Sequence, residues 1–448
     1  DYLMEMRNYM PPMHVKFIEA VEAGPSVRNM VVSAGIKELK NVFKNRYFRA
    51  MAIPQIEIED FNYTLPEDRI RVIPLEDRAA AKLLVYENSE ITDAVFSKLP
   101  TFLKKGDLLI SNNSKVIPAR IVFQKESGAF IEIMCLAPFG ISYTEAFSSH
   151  EHVSFTAYIG NSKRWKAGKL EMKIMWKGSY QSVFIERKGT EKDAFVVEFS
   201  WNFRAVFSEV IEAIGQVPLP PYFQRKPVAN DKDRYQTVFA KTEGSVAAPT
   251  AGLHYTKEVL QALSDAGVDQ KEVCLHVGAG TFKPVSADRI EDHEMHAEFF
   301  EVTRDCIQAI LDCEGRVIAA GTTSMRTLES LYWLGVRVLE GKNTDFIDQW
   351  EPYVSEVKYS KEEALLALLN HLNETNRNSI CASSSICIAP GYVFKICSGL
   401  QTNYHQPKST LMLLVAAAVG DDWKRIYEHA LKSDYMFLSY GDTMLLWF

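Results

Sequence analysis

The sequence predicts an α/β main domain with an inserted small all-β, barrel-like domain, on three observations. After residue 219, strand-like and helix-like runs alternate, the pattern of a layered α/β fold. Between 119 and 218 the runs shorten and switch to period two. Leu170, Met172 and Ile174, then Phe195, Val197, Phe199 and Trp201, each fall on one face, as half-buried antiparallel strands require. The segment Val217-Pro218-Leu219-Pro220-Pro221-Tyr222 closes that stretch, and its prolines stiffen the chain toward polyproline II, as at a domain boundary. The main domain is therefore expected over 51–118 and 219–448, and the β-barrel over 119–218.

Residues 1–50 hold eight Lys/Arg against five Asp/Glu and are expected to be an extension, non-native or dispensable, with Met51 as the functional start. Short apolar strands follow at 83–86 and 107–111. In the β domain, strands are expected at 130–136, 153–159, 170–176, 183–186 and 195–201, separated by Gly, Asn, Ser and Lys. Thr256 can cap a helix carrying Val259, Leu260 and Leu263, with Gly267 past its end. Further strands are expected at 273–277 and 316–320. The second runs into Thr322-Thr323-Ser324 and a helix through Leu328 and Leu331. Residues 340–388 read as an insertion with one firm element, the capping box Ser360-Lys361-Glu362-Glu363 before a leucine-rich helix. Ser409-Thr410 opens a helix over 411–419 that Gly420 stops. Asp421-Asp422 opens another, and Gly441-Asp442 turns the chain into a last strand.

Length and composition bound the function classes. At roughly 100–200 residues per domain, 448 residues suit two or three domains. An apolar fraction of 47% is ample for packed cores. The longest apolar run, 411–419, is shorter than the about 20 residues a bilayer span needs, and no leader pattern opens the chain. The seven cysteines lack any C-x-x-C pair and read as reduced thiols. A cytoplasmic protein without a membrane partner, acting as a monomer, is expected. The net charge of −7 argues against a protein coated in positive charge to hold nucleic acid.

Generic motifs mostly fail. Gly278-Ala279-Gly280 follows a strand like a dinucleotide loop, but the third glycine position is Lys283, and Pro284 blocks the helix that should follow. Four polar clusters remain. The first is Tyr235-Gln236-Thr237 with Ala247-Ala248-Pro249-Thr250-Ala251-Gly252-Leu253-His254, where small residues let a backbone approach a ligand or simply form a tight turn. The second is His276 at a strand end with Asp292-His293-Glu294-Met295-His296-Ala297-Glu298. Its histidines and carboxylate can supply an acid/base pair, ligate a metal, or be structural. The third, Gly321-Thr322-Thr323-Ser324-Met325-Arg326-Thr327-Leu328-Glu329, offers a helix N-terminus to an anion, or plain capping with a solvated Arg326–Glu329 pair. The fourth, Thr402-Asn403-Tyr404-His405-Gln406-Pro407-Lys408-Ser409-Thr410, offers the same choice. Three such junctions in one α/β layer point to a ligand site at the strands' carboxyl ends. The best basic patch is Lys163-Arg164-Trp165-Lys166 with Lys169 on the barrel, supported by Lys115 and Arg120 near its crossings.

These clusters, together with Phe61-Asn62-Tyr63-Thr64-Leu65-Pro66, Asn112-Asn113-Ser114-Lys115-Val116-Ile117-Pro118-Ala119-Arg120, Pro218-Leu219-Pro220-Pro221-Tyr222, Leu275-His276-Val277-Gly278-Ala279-Gly280-Thr281-Phe282 and Ser439-Tyr440-Gly441-Asp442-Thr443, run in one order over about 57–448. In that order the chain resembles the S-adenosylmethionine:tRNA ribosyltransferase-isomerase family of queuosine biosynthesis. The resemblance implies an α/β domain interrupted by a β-barrel. It implies transfer and isomerisation of the ribosyl moiety of S-adenosylmethionine onto 7-aminomethyl-7-deazaguanine in a tRNA anticodon loop. The products would be epoxyqueuosine-tRNA, adenine and methionine.

Such chemistry needs a base for the carbon beside the sulfonium and a donor for the departing adenine. His296, oriented by Glu298, is expected as the base, with His254 or His276 at the leaving group and His293 in the same catalytic set. Tyr235, Gln236, Thr250, Thr322, Thr323, Arg326, Asn403, His405, Lys408, Ser409 and Asp442 are expected to hold substrate. Lys115, Arg120, Lys163, Arg164, Lys166 and Lys169 are expected to touch RNA. No metal or resident cofactor is expected, since S-adenosylmethionine is consumed. Two alternatives stand beside this: a non-catalytic tRNA-binding paralogue, and a metal-dependent hydrolase using His293, His296 and Glu298.

Overall fold

The computed structural model describes residues 53–448 apart from 126, 166–167, 229, 279–284 and 286. The expected extension at 1–50 and the candidate Lys166 therefore lie outside the described residues. Gln55–Pro352 with Val357–Phe448 make one compact unit. The other, Asp1–Pro54 with Tyr353–Glu356, falls mostly outside those residues.

Four parallel strands form the centre of a ten-stranded mixed sheet: Asp269–Leu275, Leu108–Asn112, Val317–Ala320 and Gly399–Asn403, in that spatial order. Val317–Ala320 is buried at every position, because a parallel strand covered on both faces has no alternation to show. Thr443–Trp447, Lys82–Glu87 and Glu90–Val95 extend one edge. Glu298–Thr303, Ser379–Ser384 and Phe346–Ile347 extend the other.

Residues 340–388, expected as an insertion, are built into this layer. Their strands form its outer edge, and helix Lys361–Glu374 lies against helix Thr322–Leu339. The two helices approach at Gly335, where a Cβ would collide with the Ala364 backbone. The expected capping box is present in both arms, Glu363 N–H to Ser360 and Ser360 N–H to Glu363.

The second sheet is wholly antiparallel. Its six strands run Arg120–Gln124, Phe130–Pro138, His152–Gly160, Ala194–Trp201, Ser179–Glu191 and Lys169–Trp176. One face packs a separate core that includes Ile133, Phe155, Ile185, Val197 and Phe199. The predicted face of 195–201 holds: Phe195 stands opposite Ala157 and Val197 opposite Phe155 in unbroken register, with Phe195 half-buried and Val197, Phe199 and Trp201 buried. A β-bulge lies opposite, where Lys188 of Ser179–Glu191 is skipped between the partners of Val196 and Val197. Two helices in this stretch, Tyr143–Ser148 and Phe207–Ile214, were not expected; both pack aromatic residues into the same core. The chain enters and leaves side by side, with Arg120 and Gln216 exchanging backbone hydrogen bonds of 3.1 and 2.7 Å.

Seven cysteines are free, five of them buried. Among the described residues no helix is long and apolar enough to cross a membrane.

A candidate active site at the carboxyl ends of the central strands

A cavity of about 860 Å³ opens where three of the central strands end, beside Val277, Gly321 and Asn403. At one of these ends the chain turns directly into helix Thr322–Leu339. Gly321 makes that turn at φ +94°, where a side chain would be strained, and no side chain caps the helix. Thr322 and Thr323 thus present an uncapped N-terminus to the cavity. At the Asn403 end, the segment through His405 leads to Ser409, which caps helix Thr410–Val419 by accepting from Met412 N–H at 3.2 Å.

The wall opposite carries His293 and His296. His296 Nε2 lies 3.2 Å from Glu298 Oε1. Glu298 is almost wholly buried and receives Arg326 Nη1 at 2.5 Å and Gly278 N–H at 3.2 Å. Burial alone would raise its pKa, but Arg326, His296 and the Gly278 N–H outweigh it and hold the carboxyl at about 2. Glu298 is therefore a fixed carboxylate that holds charge beside His296. Arg326 is buried too and also donates to Ile386 C=O at 3.2 Å, so most of its reach is inside the protein.

Several expected residues face the cavity: Tyr235, Thr250, His293, His296, Thr322, Thr323, Arg326, Asn403, His405 and Ser409. Others do not. His254 is buried with Nε2 2.9 Å from Asn403 Oδ1; the Asn403 amide donates to Leu438 and Ser439 carbonyls, so its oxygen accepts and His254 donates. His276 is buried against Tyr143, ring centroids 4.0 Å apart. Burial lowers both imidazoles to about 4, which keeps them neutral, and neither lines the cavity. Gln236 is engaged on both sides of Val116, donating at 2.7 Å and accepting at 3.1 Å. Asp442 accepts the Lys82 and Met436 N–H groups at 2.8 Å each, and so anchors the first strand to the last turn. Lys408 is exposed and pairs with Glu59 at 3.2 Å.

The solvated Arg326–Glu329 pair is absent. Glu329 is buried, accepting from Tyr392 OH and from the N–H groups of Lys395, Ile396 and Cys397. Of the basic candidates, Lys115 is paired with Glu243 at 2.9 Å and Arg120 with both oxygens of Glu132, so their charge is largely neutralised. Lys163, Arg164 and Lys169 are exposed, but Trp165 between them is buried in the core of the six-stranded sheet and offers no stacking face.

Several contributors carry no local signal in the sequence. Gln349, from the stretch read as an insertion, donates to His293 C=O at 2.8 Å and accepts from Met295 N–H at 2.9 Å, clamping the loop that carries both cavity histidines. Tyr158, Lys192 and Asp193 reach the cavity from the six-stranded sheet. Only the docking of one sheet on the other brings them there.

A metal reading fits these contacts poorly. Both Glu298 oxygens are engaged, one by a guanidinium, and a cation on that carboxylate would sit against Arg326. Among the described residues, no three His, Cys, Asp or Glu side chains converge as for a metal ion.

Comparison with known proteins adds a second line. A relative from Desulfitobacterium hafniense, named S-adenosylmethionine:tRNA ribosyltransferase-isomerase, is 38% identical over 397 residues, 87% of this chain and 100% of its own. A solved structure, S-adenosylmethionine tRNA ribosyltransferase from Thermotoga maritima, is 24% identical over 86% of this chain and 99% of its own, with a TM-score of 0.42. The family model for indoleamine 2,3-dioxygenase matches residues 1–52 alone. The model for queuosine biosynthesis protein matches residues 58–446, and with the 38% relative it places the chain in the queuosine biosynthesis protein family.

Proposed function

We propose that the protein transfers and isomerises the ribosyl moiety of S-adenosylmethionine onto 7-aminomethyl-7-deazaguanine in a tRNA anticodon loop. The products are epoxyqueuosine-tRNA, adenine and methionine. The layout proposed with it is a catalytic α/β body, 51–118 and 219–448, and a β-barrel, 119–218, that faces RNA, in a protein of the cytoplasm. The observation that carries the reading is the His296–Glu298–Arg326 line, an imidazole at the cavity wall backed by a carboxylate that a guanidinium holds ionised. Such a pair suits removal of a weakly acidic proton near neutral pH, since the fixed carboxylate stabilises the imidazolium that forms.

In this reading His296 takes the proton from the carbon beside the sulfonium, and Glu298 holds charge and never carries the proton. His293, lowered in pKa by burial and then by His296, stays neutral and donates a hydrogen bond to the departing adenine. The N-terminus at Thr322 and Thr323 receives the methionine carboxylate through free N–H groups, a role Arg326 cannot fill while it holds Glu298. The target base lies in a loop, so it can leave its stack at modest cost. S-adenosylmethionine brings the leaving groups, and no resident metal or redox cofactor is needed.

His296→Ala tests the base. Adenine release should fall at least about 100-fold, the usual size of a general-base contribution. Unchanged release would remove His296 from the role.

A further inference from the structure

We propose that Lys192 binds a backbone phosphate of the RNA beside the nucleotide that enters the cavity, making the barrel's hairpin tip the element that positions the substrate. This deepens the reading above, on which it rests for RNA as the partner.

Lys192 and Asp193 form the two-residue turn between Ser179–Glu191 and Ala194–Trp201, with Glu191 paired to Ala194. Both turn residues line the same cavity as His296 and Thr323, although they belong to the other sheet. The adjoining strand supplies Tyr158, whose OH donates to Asp193 Oδ2 at 3.3 Å, so the tip is held at the cavity mouth.

Charge singles out Lys192. Arg326 is the other Lys or Arg among the cavity-lining residues, and it is buried on Glu298. Lys192 is exposed and has no ion-pair partner among the described residues. Lys192 also sits at φ +51°, a conformation that favours glycine or asparagine at such a turn. A long cation is a costlier local choice there than glycine or asparagine, as it is at Lys177 in the neighbouring hairpin of the same sheet.

The same end of the sheet carries exposed Lys163, Arg164 and Lys169. Strand pairing places the end of His152–Gly160 and the start of Lys169–Trp176 there, alongside the tip. A polyanion crossing this end would meet Lys192 last, at the cavity.

The test uses Lys192→Asn, a residue the turn accepts readily, with Lys192→Arg as the conservative variant. Binding of an unmodified anticodon stem–loop is followed by fluorescence anisotropy from low to moderate salt, alongside the KM for S-adenosylmethionine. Lys192→Asn should melt no lower than the parent and bind RNA several-fold more weakly. Its slope of log affinity against log salt should shrink by about one. Lys192→Arg should restore both, and the S-adenosylmethionine KM should not move. An unchanged slope and affinity would overturn the proposal, as would a raised S-adenosylmethionine KM with RNA binding intact. A parent protein that binds the stem–loop but transfers no ribose would refute the activity and leave the Lys192 contact standing.

Discussion

At the residue scale the deciding contacts are between buried charges. Glu298 and Arg326 hold each other inside the protein, so removing one leaves the other uncompensated. Glu298→Gln should cost about 3 kcal/mol of stability, read from urea unfolding, and adenine release should fall with it. A variant as stable as the parent would show that Arg326 finds another anion. Gln349→Ala strips partners from His293 C=O and Met295 N–H. It should cost about 2 kcal/mol, and it should lower turnover more than it raises the KM for S-adenosylmethionine, because the loop loses its register.

The buried histidines set a pH dependence. Burial holds His254 and His276 near 4. Their unfolded values lie at about 6.5, so between those limits the unfolded chain binds more protons. Their stabilising contribution is complete above about pH 6.5 and is lost as pH falls toward 4. The melting temperature should therefore drop across that window. His276→Phe, which keeps a ring against Tyr143, should flatten the drop; an equally steep profile would place the proton uptake elsewhere.

At the scale of elements, local signals were legible and pairings were not. Thr256, Ser360 and Ser409 each cap the helix they were expected to cap, because a capping side chain acts within three residues of itself. The bulge at Lys188 was not legible because a bulge is a property of two strands, and helices Tyr143–Ser148 and Phe207–Ile214 were missed because each spans about two turns. His276, at a strand end, and His254, closing the Ala247–His254 cluster, were expected at the chemistry. Only burial shows that their rings turn inward. Gln349 was invisible, since its role depends on an edge strand joining the sheet far from it in sequence. Where two helices cross, Gly335→Leu should destabilise by about 2 kcal/mol, since the Ala364 backbone occupies the space. An unchanged melting temperature would mean that the helices can slide apart.

For the whole molecule, the two sheets divide the work. The mixed sheet brings the histidine loop, the uncapped helix and the segment through His405 to one cavity, and the antiparallel sheet sets the Lys192-Asp193 turn beside it. On the proposed function, that arrangement would reconcile a net charge of −7 with an RNA substrate: affinity would come from one end of one sheet and should weaken steeply with salt. A paralogue that only bound tRNA would have no use for a carboxylate held ionised behind a cavity imidazole. The most direct test supplies tRNA bearing the aminomethyl base and S-adenosylmethionine labelled separately in its ribose and its methyl group. Ribose label in the tRNA, methyl label in free methionine and release of adenine are the predicted result. Methyl label in the tRNA, with S-adenosylhomocysteine as by-product, would contradict it.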